Sequence, residues 1–207
     1  MTGMMQRLGI LAAVLLCGLA ACAPKGPPPD PRALLTAGQI RASSQPLLLT
    51  RIDDLGGSTM IVTGRRDGVV TWRTADFVTF SYRDGLLVAT RGLGADLMSA
   101  DVSRTHAALT GGPSQDYPRF LTFLGPDDKT LFRAFRCTMR DAGPDPVVSF
   151  GTVFPATLMR ETCHSTRLTI ENRYWVAPGG GIRRSFQWIG ADLGYLETEQ
   201  LSAGIVE

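Results

Sequence analysis

The side chains that could do chemistry here are few and scattered. Histidine occurs only at His106 and His164, a thin supply for acid–base work or a zinc site. Glu161-Thr162-Cys163-His164 sets an acid and an imidazole close together. On a strand, residues three apart face opposite sides, so these two read as a surface pair beside a half-cystine rather than a catalytic pair. Cleaving a glycosidic bond takes two carboxylates flanking one sugar. Asp96, Asp101, Glu161 and Glu171 are available, but nothing in their spacing pairs them. Arg91-Gly92-Leu93-Gly94-Ala95-Asp96 begins like a dinucleotide loop, yet lacks the third glycine and a following helix. Gly-x-Ser-x-Gly, His-Glu-x-x-His and zinc-type cysteine spacings do not occur. No catalytic residue, metal site or cofactor is therefore expected, and the chain reads as a non-enzyme.

Aromatic and basic residues gather near the C-terminus. Arg173-Tyr174-Trp175 and Arg183-Arg184-Ser185-Phe186-Gln187-Trp188 fall on neighbouring strands across the turn Ala177-Pro178-Gly179-Gly180-Gly181. Aromatic rings stack on sugar faces, and arginine and glutamine hydrogen-bond hydroxyl and carboxylate groups. Arg173, Trp175, Arg184, Gln187 and Trp188 are thus the candidate contacts for a polysaccharide or a partner protein. Cross-strand packing of the hairpin accounts for the same residues.

The four cysteines are read by position. Cys17 lies at the end of an apolar run, Leu8 to Leu16, behind Arg7. That run is too short to span a bilayer, which takes about 20 apolar residues, and reads as a secretory signal. Its end, Leu19-Ala20-Ala21-Cys22, resembles the lipobox of bacterial lipoproteins. There the signal is cut before the cysteine, the thiol receives a diacylglycerol and the new amino group is acylated, palmitate being a typical chain. The resemblance implies a signal peptide over 1–21 and lipidation of Cys22. Several acyl chains anchor stably, at ~0.8 kcal/mol per buried methylene. Ala23, rather than an aspartate, follows Cys22, which by the lipoprotein sorting rule implies the periplasmic face of the outer membrane. An ordinary cut near Ala23 is the alternative. Cys137 and Cys163 remain, and the periplasm is oxidising. A disulfide between them would close a loop of about 26 residues and add roughly 3–4 kcal/mol. Two separate buried thiols are the alternative. Without Cys-x-x-Cys, a redox role is not expected.

These residues need a scaffold. The chain has 207 residues, a net charge of +2 and 44% hydrophobic residues, enough for one ordinary domain plus a tail. Near-neutral charge excludes a dedicated nucleic-acid binder, and the hydrophobic fraction excludes a disordered chain. Ala23 to Pro31 is proline-rich and reads as an extended tether; Arg32 to Ser43 reads as one short helix. Beyond it, Asp67-Gly68 and Asp84-Gly85 are hairpin turns, and Gly125-Pro126-Asp127-Asp128 is a longer one. Between the turns apolar residues alternate: Val78, Phe80 and Tyr82; Leu131, Phe135, Cys137 and Met139, with Arg133 the exception; Leu168, Ile170, Tyr174 and Val176, with Asn172 among them. Period two means strands with one buried face. About eleven strands, mostly pairing with their sequence neighbours, make an all-β antiparallel meander. So many strands must fold into a sandwich or a barrel-like sheet. The spacing is too irregular for a membrane-spanning barrel. The chain divides into 1–21, signal; 22–44, lipidated cysteine, tether and short helix; and 45–207, the β domain.

Three segments then stand out together: Thr71-Trp72-Arg73-Thr74-Ala75-Asp76 with Gly85 to Met98; Glu161-Thr162-Cys163; and Glu171-Asn172-Arg173-Tyr174-Trp175-Val176 with Ser185-Phe186-Gln187-Trp188. With the lipobox, they resemble the YjbF/GfcB family of lipoproteins, tied to exopolysaccharide and group 4 capsule production. The resemblance spans about residues 45–200 by the strand map. It implies an all-β domain working beside other envelope proteins that secrete a polysaccharide, with no catalytic residues to carry over. The leading function is a non-enzymatic accessory or binding component of exopolysaccharide or capsule production or export. A polysaccharide-modifying enzyme, with an acid pair in a groove, and a lipocalin-like carrier, with an apolar void, are the alternatives.

Overall fold

The computed structural model describes residues 30–52, 55–111, 114–125, 129–202 and 204–206. The expected signal peptide, Cys22, the tether up to Pro29 and the turn residues Pro126–Asp128 lie outside them. Two helical turns, α1 (Pro31–Leu34) and α2 (Ala37–Ala42), come first. Strands β1 (Leu47–Ile52), β2 (Gly56–Arg66), β3 (Val69–Arg73), β4 (Thr79–Arg83), β5 (Leu86–Arg91) and β6 (Leu97–Asp101) lead to helix α3 (Ser103–Gly111). Then follow β7 (Ser114–Leu124), β8 (Thr130–Pro144), the small hairpin β9 (Val147–Ser149) and β10 (Thr152–Phe154), and β11 (Thr157–His164), β12 (Thr169–Val176), β13 (Ile182–Gly190) and β14 (Gly194–Gln200).

Twelve strands form one antiparallel sheet in the order β5-β4-β3-β2-β1-β14-β13-β12-β11-β8-β7-β6. Two meanders are thus joined where the first and last strands pair, Thr50 opposite Thr198. The sheet curls until its edges, β5 and β6, lie side by side, giving a nearly closed barrel. Antiparallel alternation puts the β1–β2, β3–β4, β5–β6, β7–β8, β11–β12 and β13–β14 connections at one end, termed upper here. The Asp67-Gly68 and Asp84-Gly85 turns lie at the lower end. All four of their residues have φ between 50° and 75°, the backbone that two-residue hairpins with the right twist require.

The expected alternation holds except at Leu168, which precedes β12 and is exposed. Phe80 and Tyr82, then Phe135, Cys137 and Met139, then Ile170, Asn172 and Tyr174 point inward and are buried. Trp72, Met60, Leu86, Leu87, Leu121, Ile189 and Leu196 complete the interior. The barrel is flattened enough for opposite walls to touch. A Cβ on Gly85, at the β4–β5 turn, would sit 2.8 Å from the Ile182 Cβ of β13. Gln187 of β13 spans the interior to β5, accepting from the Leu87 N–H at 3.1 Å and donating to the Gly85 carbonyl at 3.3 Å. It meets β5 at a bulge, where the ladder skips Val88.

Two expectations about helices need correction. The single helix over 32–43 is broken in two, because Leu35 and Thr36 are extended. Thr36 starts α2 with a capping box, its hydroxyl accepting from Gln39 N–H while the Gln39 side chain reaches back to Thr36 N–H. Helix α3 was not expected: Ser-Arg-Thr-His-Ala-Ala-Leu-Thr-Gly has little apolar stripe, and it buries only Thr105 and Ala108.

Cys137 and Cys163 are directly opposite each other on β8 and β11 and are joined by a disulfide. Both are fully buried. Replacing both by alanine should lower the unfolding free energy by about 2–4 kcal/mol, read from urea denaturation. Unfolding curves that coincide with and without reductant would count against the bond.

Candidate functional site

The strongest concentration of chemistry is inside the barrel. Glu161 on β11 has no solvent exposure, and its carboxylate accepts five hydrogen bonds. Thr105 of α3 and the Tyr117 phenol of β7 donate to Oε1 at 2.8 and 2.7 Å. Arg119 of β7, Asn172 and the Tyr174 phenol of β12 donate to Oε2 at 2.5, 2.7 and 3.0 Å. Arg119, 2% exposed, also donates to the Tyr174 oxygen. The Asn172 carbonyl oxygen accepts from the Trp188 N–H at 2.7 Å. The disulfide sulfurs lie within 4.8 Å of the carboxylate. Bonded to each other, they are not available as thiolate ligands.

Burial opposes ionisation of Glu161, but Arg119 and the hydroxyl and amide donors outweigh it and hold the carboxyl below its ordinary value. Burial likewise opposes charge on Arg119, and the facing carboxylate prevails, so the guanidinium is held more firmly protonated than usual. Burial, then the Glu161 charge, pushes both the Tyr117 and Tyr174 phenols up, so they act as neutral donors. Every lone pair of the carboxylate is directed at a protein donor, which makes the cluster a fixture rather than a reactive group. Glu161 is therefore not the surface acid its sequence neighbourhood indicates, although His164 does face the other way, exposed and 2.9 Å from the Thr169 hydroxyl.

The other acids are also engaged. Asp96 lies in the β5–β6 connection, at the seam of the barrel. Its carboxylate accepts from the Thr90 hydroxyl at 2.8 Å and from the N–H groups of Gly92 and Leu93 at 2.9 and 3.2 Å. Thr90 Oγ1 in turn accepts from the Leu97 N–H, and Arg91 donates to the Leu97 carbonyl. Side chains thus stitch the edge where the backbone ladder stops. Gly92 takes φ 96° to turn the loop back onto Asp96. Asp101 caps α3 through the Ser103 N–H at 3.0 Å, and Ser103 holds its carboxyl below the ordinary value. Glu171 pairs with Arg160 across β11 and β12 at 2.8 Å.

The five candidate contacts separate. Arg173, Trp175 and Arg184 share the outer face of β12 and β13. The Arg173 guanidinium lies 4.3 Å over Phe186 and the Arg184 guanidinium 5.0 Å over Trp175. Phe186 stacks on Tyr195 at 4.4 Å, and Arg184 is paired with Glu197. Trp175 is anchored by Asp145, which accepts from its indole N–H at 2.8 Å, and packs with Val147, Ala156 and Leu158 beside the β9–β10 hairpin. Gln187 and Trp188 do not join this patch. Gln187 is the interior bridge, 1% exposed. Trp188 packs edge-on against Phe123 and Phe135 and lines a separate upper cleft of about 460 Å³. They fail as surface contacts because β13 is covered on both faces over this stretch.

Arg119, Tyr117 and Thr105 were not singled out from the sequence. A signal existed: Arg119 sits among Tyr117, Leu121 and Phe123 on one strand face, as Asn172 sits among apolar neighbours. A polar residue on an inward face must find a partner there.

The fold and its sealed polar interior define a packed, nearly closed β-barrel domain. The crystal structure of the hypothetical lipoprotein YmcC from Escherichia coli (K12) has the same fold, with a TM-score of 0.74 over 85% of this chain and 95% of that chain, at 19% identity. No curated protein matches the chain. The family model described as "Group 4 capsule polysaccharide lipoprotein gfcB, YjbF" matches residues 16–201, and the chain belongs to that family.

Glu161→Gln leaves Arg119 buried without its counter-charge and should cost about 3–5 kcal/mol in chemical denaturation. The wild-type carboxyl is depressed on folding, so its contribution is complete above the ordinary glutamate value of about 4.3. It is lost as pH falls from there through the folded value. The acid limb of a stability–pH curve should accordingly be shallower in Glu161→Gln than in the wild type.

Proposed function

We propose that this protein is a non-enzymatic accessory component of exopolysaccharide or capsule production or export. It is held by an acylated Cys22 at the periplasmic face of the outer membrane, where its barrel docks onto another envelope protein or holds the polysaccharide in passage. The observation that carries the reading is the state of the acids. Glu161, Asp96, Asp101 and Glu171, the carboxylates a glycosidase would draw on, are all committed to structural bonds. A modifying enzyme needs a pair of them facing a groove. The carrier alternative needs a void where opposite walls of this barrel are in contact. The family description, a capsule polysaccharide lipoprotein, agrees with an envelope role.

The working surface in this reading is the outer ladder of Arg173, Trp175, Arg184 and Phe186. Trp175, buried, and Phe186, half-buried, back the partly exposed guanidinium groups of Arg184 and Arg173, donors that suit an acidic sugar or a carboxylate-bearing partner. Lipidated protein captured from mildly solubilised envelopes should bring down another outer-membrane protein of polysaccharide secretion, identified by mass spectrometry. Arg173→Ala with Arg184→Ala should cut that recovery about ten-fold or more, with stability changed by no more than about 1 kcal/mol. Recovery of the protein alone would overturn a stable assembly.

A further inference from the structure

The upper end of the barrel carries apolar side chains at the turns of its rim. Phe77, in the β3–β4 turn, is 72% exposed, and Leu55, in the β1–β2 turn, is 59% exposed. Leu93, in the β5–β6 loop, is half-buried against the core and faces Leu55 across a cleft. Between these turns lies an open cleft of about 620 Å³ floored by Ile52 and Phe80. Phe77 is held outward against its own preference. Its φ is 70°, a conformation that a bulky side chain rarely adopts. The turn enforces it: Thr74 N–H donates to the Val78 carbonyl at 2.9 Å, Val78 N–H to the Thr74 hydroxyl at 3.0 Å, and Phe77 N–H to the Thr74 carbonyl at 3.2 Å. Arg73 lies 4.8 Å over the Phe77 ring.

The N-terminal strap shows what this rim faces. Pro31 is seated on Gly57, two residues past Leu55; a Cβ there would come within 2.5 Å of the proline ring. Arg32 forms an ion pair with the buried carboxylate of Glu199 on β14. From Pro31 the strap runs down the outer wall to the region of Ser149 and Ser202, where α2 lies, and then turns up into β1. Asp30 therefore leaves the barrel near its upper end. Eight residue steps separate it from Cys22, at most about 29 Å of fully extended chain. The upper end, toward which the strap points from Pro31 on Gly57, is within reach of a membrane that holds Cys22.

We propose that the rim of Leu55, Phe77 and Leu93 rests in the phospholipid interface of the membrane that holds Cys22. The barrel would then stand upper end down, with α3 and the β9–β10 hairpin turned into the periplasm. The proposal rests on the lipidation of Cys22. Aromatic and aliphatic side chains with an adjacent arginine are the composition that settles at a bilayer interface. Asp76, exposed beside Phe77, is the opposing charge. A short tether gives the rim a high effective concentration at the surface, so a weak contact suffices to orient the barrel.

The test uses the full-length lipidated protein in phosphatidylethanolamine–phosphatidylglycerol vesicles, with ordinary or brominated acyl chains. The native tryptophans are buried, so Phe77→Trp and, as a second reporter, Leu55→Trp each add emission from the rim. Val153→Trp reports from the exposed lower hairpin. Brominated lipid should remove most of the emission added by Phe77→Trp and Leu55→Trp and leave that of Val153→Trp. Unquenched rim reporters on protein that floats with the vesicles would overturn the orientation while leaving the anchor intact. Failure to float would instead overturn the anchor, and the orientation with it.

Discussion

A carboxylate with no access to water governs the interior of this barrel. Placing Glu161 there costs several kcal/mol of lost hydration, which Arg119 alone does not offset. Five donors on two oxygens do. They come from α3, β7 and β12, and all must converge on one residue of β11. Shifting any of these strands by one position would send its donor to the outer face and strand the charge. The cluster is thus a register device: a buried ion pair is a poor source of net stability, but only one alignment of these strands satisfies it. The disulfide beside it fixes β8 to β11 at the same level.

The same economy explains the seam. A sheet of twelve strands that stopped short of closure would leave two edges open to pairing with other chains. Here the edges are covered by a loop whose acid and threonine substitute for ladder bonds. The glycine-rich segment from Thr90 to Asp96 is therefore closure chemistry, and its resemblance to a phosphate-binding loop ends at the glycines. Gln187 makes the analogous repair across the interior, capping the backbone that the β5 bulge leaves unpaired. Buried polar groups in this protein complete the fold.

How legible this was follows from what sequence patterns encode. Strands with one apolar face were readable at Val78 to Tyr82, Leu131 to Met139 and Leu168 to Val176, because alternation reports burial directly. The disulfide was readable because Cys137 and Cys163 remain once Cys17 and Cys22 are assigned to the expected signal and lipid, and an expected oxidising compartment favours their pairing over two separate thiols. Polar residues at inward positions were not assigned correctly, since Glu161 and Gln187 have surface residue types and key partners are distant in the chain, Arg119 lying 42 positions from Glu161 and Leu87 100 from Gln187. Trp188 reads from the sequence as a ring for stacking on a sugar; β13 is buried on both faces there. Helix α3 carries almost no amphipathic signal, as it is held by Thr105 and Ala108 rather than by a stripe.

A filled, flattened barrel leaves function to the outside. The outer wall is already divided between tasks. One stretch, over β14, β1 and β2, is occupied by the N-terminal strap through Pro31 on Gly57 and Arg32 on Glu199. The neighbouring stretch, over β12 and β13, carries the arginine–aromatic ladder and the hairpin that flanks it. The two stretches adjoin where β13 pairs with β14, so docking the strap fixes the ladder's direction relative to Asp30. A freely jointed tether would let the ladder face any way. A strap bonded to a buried carboxylate instead gives the ladder one fixed heading relative to Asp30.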